Sequence, residues 1–423
     1  MTLPDIHRTI DAVWRIESAR LIASLTRLVG DVGLAEDLAQ GALVAALEQW
    51  PQSGIPEKPG AWLMVTARHH AIDLIRRNVR LERKTEEMGH DLELEQSIGV
   101  PEEMDSDEDL GDDLLRLIFI ACHPILSKDA RLALTLRLLG GLTTDEIARA
   151  FLVPEPTIAQ RIVRAKRTLS EAQVPFEVPT GSERAVRLSS VLEVIYLIFN
   201  EGYAATSGDD WVRPALCEDA LRLGRVLAEL VPNEPEVHGL VALMEIQASR
   251  LRARIGPSGE AIPLLEQNRG RWDQLLIQRG FAALLRAEAV GGALGPYRLQ
   301  AAIAACHAQA RNPEDTYWER IAALYDALAQ IAPSPIVELN RAVAVGMAFG
   351  PAAGLEIVDT LVSEPSLKSY HLLPGVRGDL LAKLGRVREA CEEFKRAASL
   401  TRNARERELL LERAAELTKG KSK

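Results

Sequence analysis

Two stretches of this chain carry side chains suited to one kind of chemistry, the neutralisation of phosphate. In the first, the apolar residues Trp62, Leu63, Val65, Ala67, Ala71, Ile72, Leu74 and Ile75 recur at helical spacing. Beside and after them stand Arg68, Arg76, Arg77, Arg80, Arg83 and Lys84. A helix that buries one side and offers guanidinium groups on another suits a polyanion. The second stretch has Ile158, Ile162 and Ala165 on one side and Gln160, Arg161, Arg164, Lys166 and Arg167 elsewhere. Arginine forks can reach guanine edges bidentately, while lysine and the remaining arginines can position a phosphate backbone. Neither stretch is strongly basic by itself, so tight binding to nucleic acid calls for a further partner.

The elements that must hold these side chains can be read from their punctuation. Residues 5–30 are amphipathic, one helix or a pair, closed by Gly30 and Gly33. Asp31 is placed to cap a helix that runs to Trp50, residues 51–60 have loop composition, and a second helix starts near Pro59. Further on, Ser127 can cap another helix. Thr143 or Thr144 can cap a short one, with Glu146 near the capping-box position. Leu152–Pro154 reads as a turn, and Pro156 suits the first turn of the next helix. Two short helices, a tight turn and a polar-basic second helix make a helix-turn-helix pattern.

At 423 residues the chain exceeds a single core, and two or three domains are expected. Alanine, leucine, arginine and glutamate dominate and aromatics are 4% of residues, which favours an all-α protein. A net charge of −10 argues against a nucleic-acid binder until its distribution is considered. Residues 85–113 hold thirteen acidic residues and no basic one. They read as a flexible linker, either a solvated spacer or an acidic strip that competes for the basic helices. The longest apolar runs, 114–121 and 194–199, fall far short of a membrane span. The N-terminus has no signal pattern. A cytoplasmic protein with no membrane partner is expected. Cys122, Cys217, Cys306 and Cys391 lack metal or disulfide spacing and read as buried small hydrophobes.

From Val174 onward the chain is helical with balanced charges and no basic cluster. Residues 340–361 match 375–396 at an offset of about 35, with Gly350 falling on Gly385, and residues 232–250 look like the start of a related unit. The pattern predicts an array of α-hairpins. Two segments fall outside it. One holds Asn200, Glu201, Tyr203, Trp211 and Arg213, beside Asp209 and Asp210. The other holds Arg269, Arg271, Trp272 and Asp273. Two readings are open for them: ion pairing that holds neighbouring hairpins, or a site for a regulatory peptide or small-molecule ligand.

In their order, these parts resemble the extracytoplasmic-function (ECF) group of bacterial RNA polymerase sigma factors, in the subgroup with a tetratricopeptide-like C-terminal extension. AEDLAQGALVAALEQWP followed by GAWLMVTARHHAIDLIRR is similar to sigma region 2, and LTTDEIARAFLVPEPTIAQRIVRAKRTL to region 4. The resemblance implies region 2 at 1–84, the acidic linker at 85–113, region 4 at 114–173 and the helical extension at 174–423. It implies that Asp37, Leu38 and Gln40 dock on core RNA polymerase. Trp62, Arg68, His69, Arg76, Arg77 and Arg80 would face the −10 promoter element. Thr157, Gln160, Arg161, Arg164, Lys166 and Arg167 would face the −35 element. His69 stands where the family motif has Asn, and Pro156 and Ala159 where it has Gly and Lys. Core polymerase and promoter DNA are the implied partners, with no cofactor, metal or enzymatic activity, and with the extension regulating activity in cis. A stand-alone helix-turn-helix regulator with a helical sensor domain is the alternative, and it leaves residues 37–84 unexplained. An enzyme would need metal spacing, a nucleophile motif or a phosphate-binding glycine loop, and the sequence has none of them.

Overall fold

The computed structural model describes residues 3–85, 107–205, 207–208, 211–257 and 259–419. Among these are eighteen α-helices, arranged in two compact units, 1–194 and 195–423.

The first unit begins with α1 (Leu3–Val29), α2 (Val32–Ser53) and α3 (Pro59–Thr85), each packed on the other two. Gly30, at φ +72, turns the chain out of α1, and the Asp31 carboxylate accepts from Leu34 N at 2.8 Å to start α2. Small residues on α2 (Ala35, Ala39, Ala42, Ala46) and on α3 (Ala67, Ala71) are fully buried. They let the helices approach closely around Ile10, Leu21, Ile22 and Leu25 of α1. Trp50 closes one end, edge-on to Trp62 at 5.4 Å. Two expectations are corrected here. Val65 is 52% exposed, because it lies off the stripe set by Leu63, Ala67 and Ala71. Helix α2 also runs through Pro51 to Ser53, since a proline in the last turn forfeits only one ladder bond.

The unit continues with α4 (Asp107–Ala121), α5 (Lys128–Leu138), α6 (Thr144–Phe151) and α7 (Glu155–Glu171). Residues 107–113, assigned to the linker from their acidity, are instead the first turns of α4. Asp113 is fully buried, 2.9 Å from Arg27 of α1 and 2.7 Å from Arg116, so its charge is neutralised rather than solvated. The remainder of the acidic strip, up to 106, lies outside the described residues. Ser127 caps α5 through Ala130 N. Thr143 and Glu146 form a reciprocal capping box on α6, with bonds of 3.1 and 2.8 Å. The turn between α6 and α7 puts Leu152 in the left-handed region at φ +51. Helix α1 packs on α4 and α5 as well as on α2 and α3, so both sequence regions share one core.

Helix α8 (Gly181–Tyr203) carries the division between the units. Its first half belongs to the first unit, although the sequence groups it with the C-terminal stretch. Arg187 donates to the Phe119 carbonyl in the last turn of α4 at 3.0 Å, and Ser190 to the carbonyl of Cys122, just after the helix, at 2.6 Å.

The second unit is a succession of helices in which each packs on its sequence neighbours: α9 (Pro214–Leu230), α10 (Pro235–Ala248), α11 (Gln274–Val290), α12 (Pro296–Gln309), α13 (Trp318–Ile331), α14 (Pro335–Phe349), α15 (Pro351–Leu361), α16 (Leu372–Lys383), α17 (Val387–Leu400) and α18 (Ala404–Lys419). The predicted offset is visible as two hairpins. Gly350 joins α14 to α15 at φ +102 and Gly385 joins α16 to α17 at φ +74. The succession closes on itself. Strand β1 (Ser207–Gly208) pairs in parallel with β2 (Arg402–Asn403), and the buried Asn403 amide donates to the Ala205 carbonyl at 3.2 Å. All four cysteines are buried and unbridged.

Helices α14 and α15 touch backbone to backbone. A Cβ on Gly354 would stand 2.6 Å from the Ala342 carbonyl and 2.9 Å from Gly346 Cα. Gly354→Ala is expected to destabilise the chain by about 1–3 kcal/mol through overpacking, read as a lowered thermal-unfolding midpoint. An unchanged midpoint would show that this contact is not tight.

Candidate functional site

The second helix of the helix-turn-helix, α7, buries Ile158, Ile162, Ala165 and Leu169. This stripe turns Gln160, Arg164 and Arg167 to the surface, all three exposed, with Thr157 half-buried. Arg167 pairs with Glu171 one turn on at 2.6 Å, an exposed contact of little energetic weight. The remaining two cations predicted for this surface are engaged from the side. Arg161 meets Asp129 of α5 at 3.0 Å. Lys166 pairs with Glu36 of α2.

On α3 the exposed members of the predicted set are His69, Arg76 and Arg77. Trp62 is half-buried against Trp50, and Arg68 donates to Ser24 of α1 at 3.2 Å, so both also serve the bundle. The side chain of Arg80 lies outside the described residues. On α2, Asp37 is exposed, Leu38 is a core residue at 9% exposure, and Gln40 donates to Glu36 at 2.6 Å.

Glu36 was not singled out from the sequence, yet it is the electrostatic centre of the unit. It is almost completely buried, and it receives Arg137 of α5 at 2.5 Å, Lys166 of α7 and the Gln40 amide. Burial by itself raises the pKa of this carboxyl, but the charges and hydrogen bonds of Lys166 and Arg137 outweigh it and hold it below the usual value. Arg15 of α1 reaches Glu146 of α6 at 2.5 Å in the same interface. Four ion pairs, those of Glu36 with Arg137 and Lys166, Arg15–Glu146 and Arg27–Asp113, therefore tie α1 and α2 to α4–α7.

In the second unit the residues noted from sequence fall into separate roles. Glu201 and Arg213 pair with each other. Arg269 donates to the carbonyls of His307 and Ala310 at 2.5 and 2.6 Å and to Thr316 Oγ1 at 3.2 Å. Asp273 caps α11 through Leu275 N and Leu276 N, and Arg271 is exposed. Asn200 accepts from Ala204 N through its carbonyl. Tyr203, Trp211 and Trp272 instead gather around two arginines the sequence did not flag, Arg250 and Arg254. No group of three side chains able to hold a metal ion occurs among the described residues.

Comparison with known proteins fits this geometry. The family described as Sigma-70 region 2 matches residues 15–81, and Sigma-70, region 4 matches 116–169. A family of unknown function, DUF6596, matches 187–288. The chain is 43% identical to a protein of Rhizobium meliloti (strain 1021) described as Uncharacterized protein R00370, over 91% of this chain and 90% of that one. It is 29% identical to the Probable ECF RNA polymerase sigma factor SigI of two Mycobacterium tuberculosis strains, over 43% of this chain and 61% of that protein. No solved structure matches. The chain belongs to the sigma-70 family of transcription initiation factors, which bind core RNA polymerase and direct it to promoters. Within that family it is an ECF sigma factor with a C-terminal helical extension. The stand-alone regulator is set aside, because the region 2 match covers residues 37–81 of the stretch it left unexplained.

The folded-state pKa of Glu36 is depressed, so its contribution to stability is present above the usual carboxylate range and is lost as the pH falls through that range and below it. Glu36→Gln is expected to cost about 3 kcal/mol at neutral pH by leaving two cations poorly partnered, and to flatten the acid limb of stability against pH. Equilibrium unfolding of both proteins between neutral pH and the acid range checks this. Parallel acid limbs would overturn it.

Proposed function

We propose that α7 reads the −35 element with Gln160, Arg164 and Arg167, joined by Thr157, Arg161 and Lys166 when their internal partners are exchanged for DNA. The observation that carries this reading is the outward polar-basic face of α7 opposite a fully apolar stripe, in a capped helix-turn-helix. Helix α3 meets the opened −10 strand with Trp62, Arg68, His69, Arg76, Arg77 and Arg80, where an aromatic ring and cations suit unstacked bases. Exposed Asp37 contacts core polymerase directly, while Leu38 and Gln40 shape that surface from within. The exchange at Lys166 is a substitution of phosphate for the Glu36 carboxylate. The unit thus exists in at least two charge arrangements, one with Lys166 turned inward and one with it on DNA.

The chain acts in the cytoplasm and performs no catalysis, a reading that rests on its sigma regions. No described helix is long and apolar enough to cross a membrane. The extension from 195 onward regulates sigma activity in cis. Its size and the pairing of β1 with β2 across it support a control role.

Arg164→Ala is expected to weaken promoter binding by the holoenzyme and to reduce the salt slope of binding by about one unit, with core binding unchanged. Equal loss of core binding would count against the −35 assignment. Removal of residues 195–423 leaves Arg187 and Ser190 in place to satisfy α4. This deletion is expected to change promoter-directed transcription in vitro while core binding persists. Transcription identical to the full chain under all conditions tried would sink regulation in cis.

A further inference from the structure

The second unit holds two cations that neither sigma region uses. Arg250, two residues after α10, is only 7% exposed, and Arg254 follows four residues later. Both guanidinium groups lie over the same ring, that of Tyr203, with Arg250 at 5.7 Å and Arg254 at 3.9 Å from its centre. Arg250 also lies 5.8 Å from the ring of Trp272, and Arg254 5.5 Å from that of Trp211. The Nε atoms of both are buried without a hydrogen-bond partner, as are the indole nitrogens of Trp211 and Trp272. Among the described residues neither arginine side chain has an ion pair or a hydrogen bond.

Among the described residues, no carboxylate is ion-paired with either arginine. The groups that act electrostatically on Arg250 are Tyr203, Arg254 and Tyr325, with no carboxylate among them. Tyr325 stays protonated, since burial, with Tyr196 adding to it and Arg250 opposing, lifts its phenol to about 12. His307 stays neutral, because burial and then the charges of Arg250 and Arg269 push its pKa down to about 3. Arg269 is already occupied by two carbonyls and a hydroxyl.

A guanidinium does not shed its proton in a protein. Burying one without a counter-ion is costly, and cation–π contact returns only part of that cost. Two such groups side by side repel as well. We propose that Arg250 and Arg254, framed by Tyr203, Trp211 and Trp272, form a receptor for the carboxylate or phosphate group of a small molecule. The oxyanion supplies the missing charge and accepts the unpartnered N–H groups, and the aromatic faces favour a flat or apolar remainder. The residues come from four separate stretches: the end of α8, the segment before α9, the segment just after α10 and the turn before α11. An anion among them draws these stretches together, which gives a ligand a means of changing the state of the extension.

The receptor does not depend on the promoter contacts proposed above, and binding tests it directly. Full-length protein is titrated with sodium phosphate and, separately, sodium benzoate, with sodium chloride holding ionic strength constant. Thermal unfolding and tryptophan fluorescence are followed together. One of the two anions is expected to raise the unfolding midpoint with its concentration and to change the fluorescence saturably. A phosphate response indicates a phosphorylated ligand and a benzoate response a carboxylic acid. Arg250→Met and Arg254→Gln are each expected to weaken that binding about tenfold or more. If Arg250→Met does not fold, the half-exposed Arg254→Gln decides. Responses no larger than those of chloride, or variants that respond like the parent, would overturn the proposal.

Discussion

A carboxylate held between two cations decides how the first 194 residues pack. Glu36 sits on α2 with almost no access to water, and burial of a lone carboxylate there would be prohibitive. Arg137 from α5 and Lys166 from α7 make it tolerable, and in doing so fasten the two sigma regions to each other. Ion pairing of this kind adds less net stability than an apolar contact of the same size would. What it adds is selectivity, because only one juxtaposition of α2, α5 and α7 satisfies the carboxylate. Lys166 also belongs to the helix whose remaining polar side chains face outward. The bond that completes the fold therefore competes with any phosphate that approaches that helix.

Local features of this fold were legible in the sequence and distant ones were not. The caps at Asp31, Ser127 and Thr143–Glu146 are read within four residues of themselves, and the structure has each of them. The hairpin turns at Gly350 and Gly385 were visible because both positions take a left-handed backbone, which favours glycine. Helical periodicity likewise identified the outward face of α7. It could not show that Lys166 turns inward, since the bond depends on Glu36 in another region, nor that Arg137 reaches the same carboxylate across 101 residues. Acidity alone misplaced the start of α4: Asp113 reads as one more solvated charge until Arg27 is seen beside it.

In the extension, composition drew attention to residues that the fold assigns to separate roles. Polar-aromatic loops were conspicuous, yet Glu201, Arg213, Arg269 and Asp273 prove to be occupied with one another, with carbonyls and with a helix end. Tyr203, Trp211 and Trp272 are the members that matter for Arg250 and Arg254. A sequence displays the arginines that are present but not that, among the described residues, no carboxylate pairs with them. That absence becomes visible only when helices far apart in the chain are brought together.

The pairing of β1 with β2 bears on the order in which the protein is made. The Asn403 side chain meets the Ala205 carbonyl across 198 residues. On a ribosome adding about 5–20 residues per second, that separation corresponds to roughly 10–40 s. The sigma unit has left the exit tunnel and can fold well before the extension is able to close. Each newly made copy thus passes through an interval with a folded sigma unit and an extension whose β1 still lacks its partner strand. Long-range closure of this sort is also slow to form from the unfolded chain. The arrival of Arg402 and Asn403 therefore sets when the strand beside Tyr203 and Trp211 gains its partner.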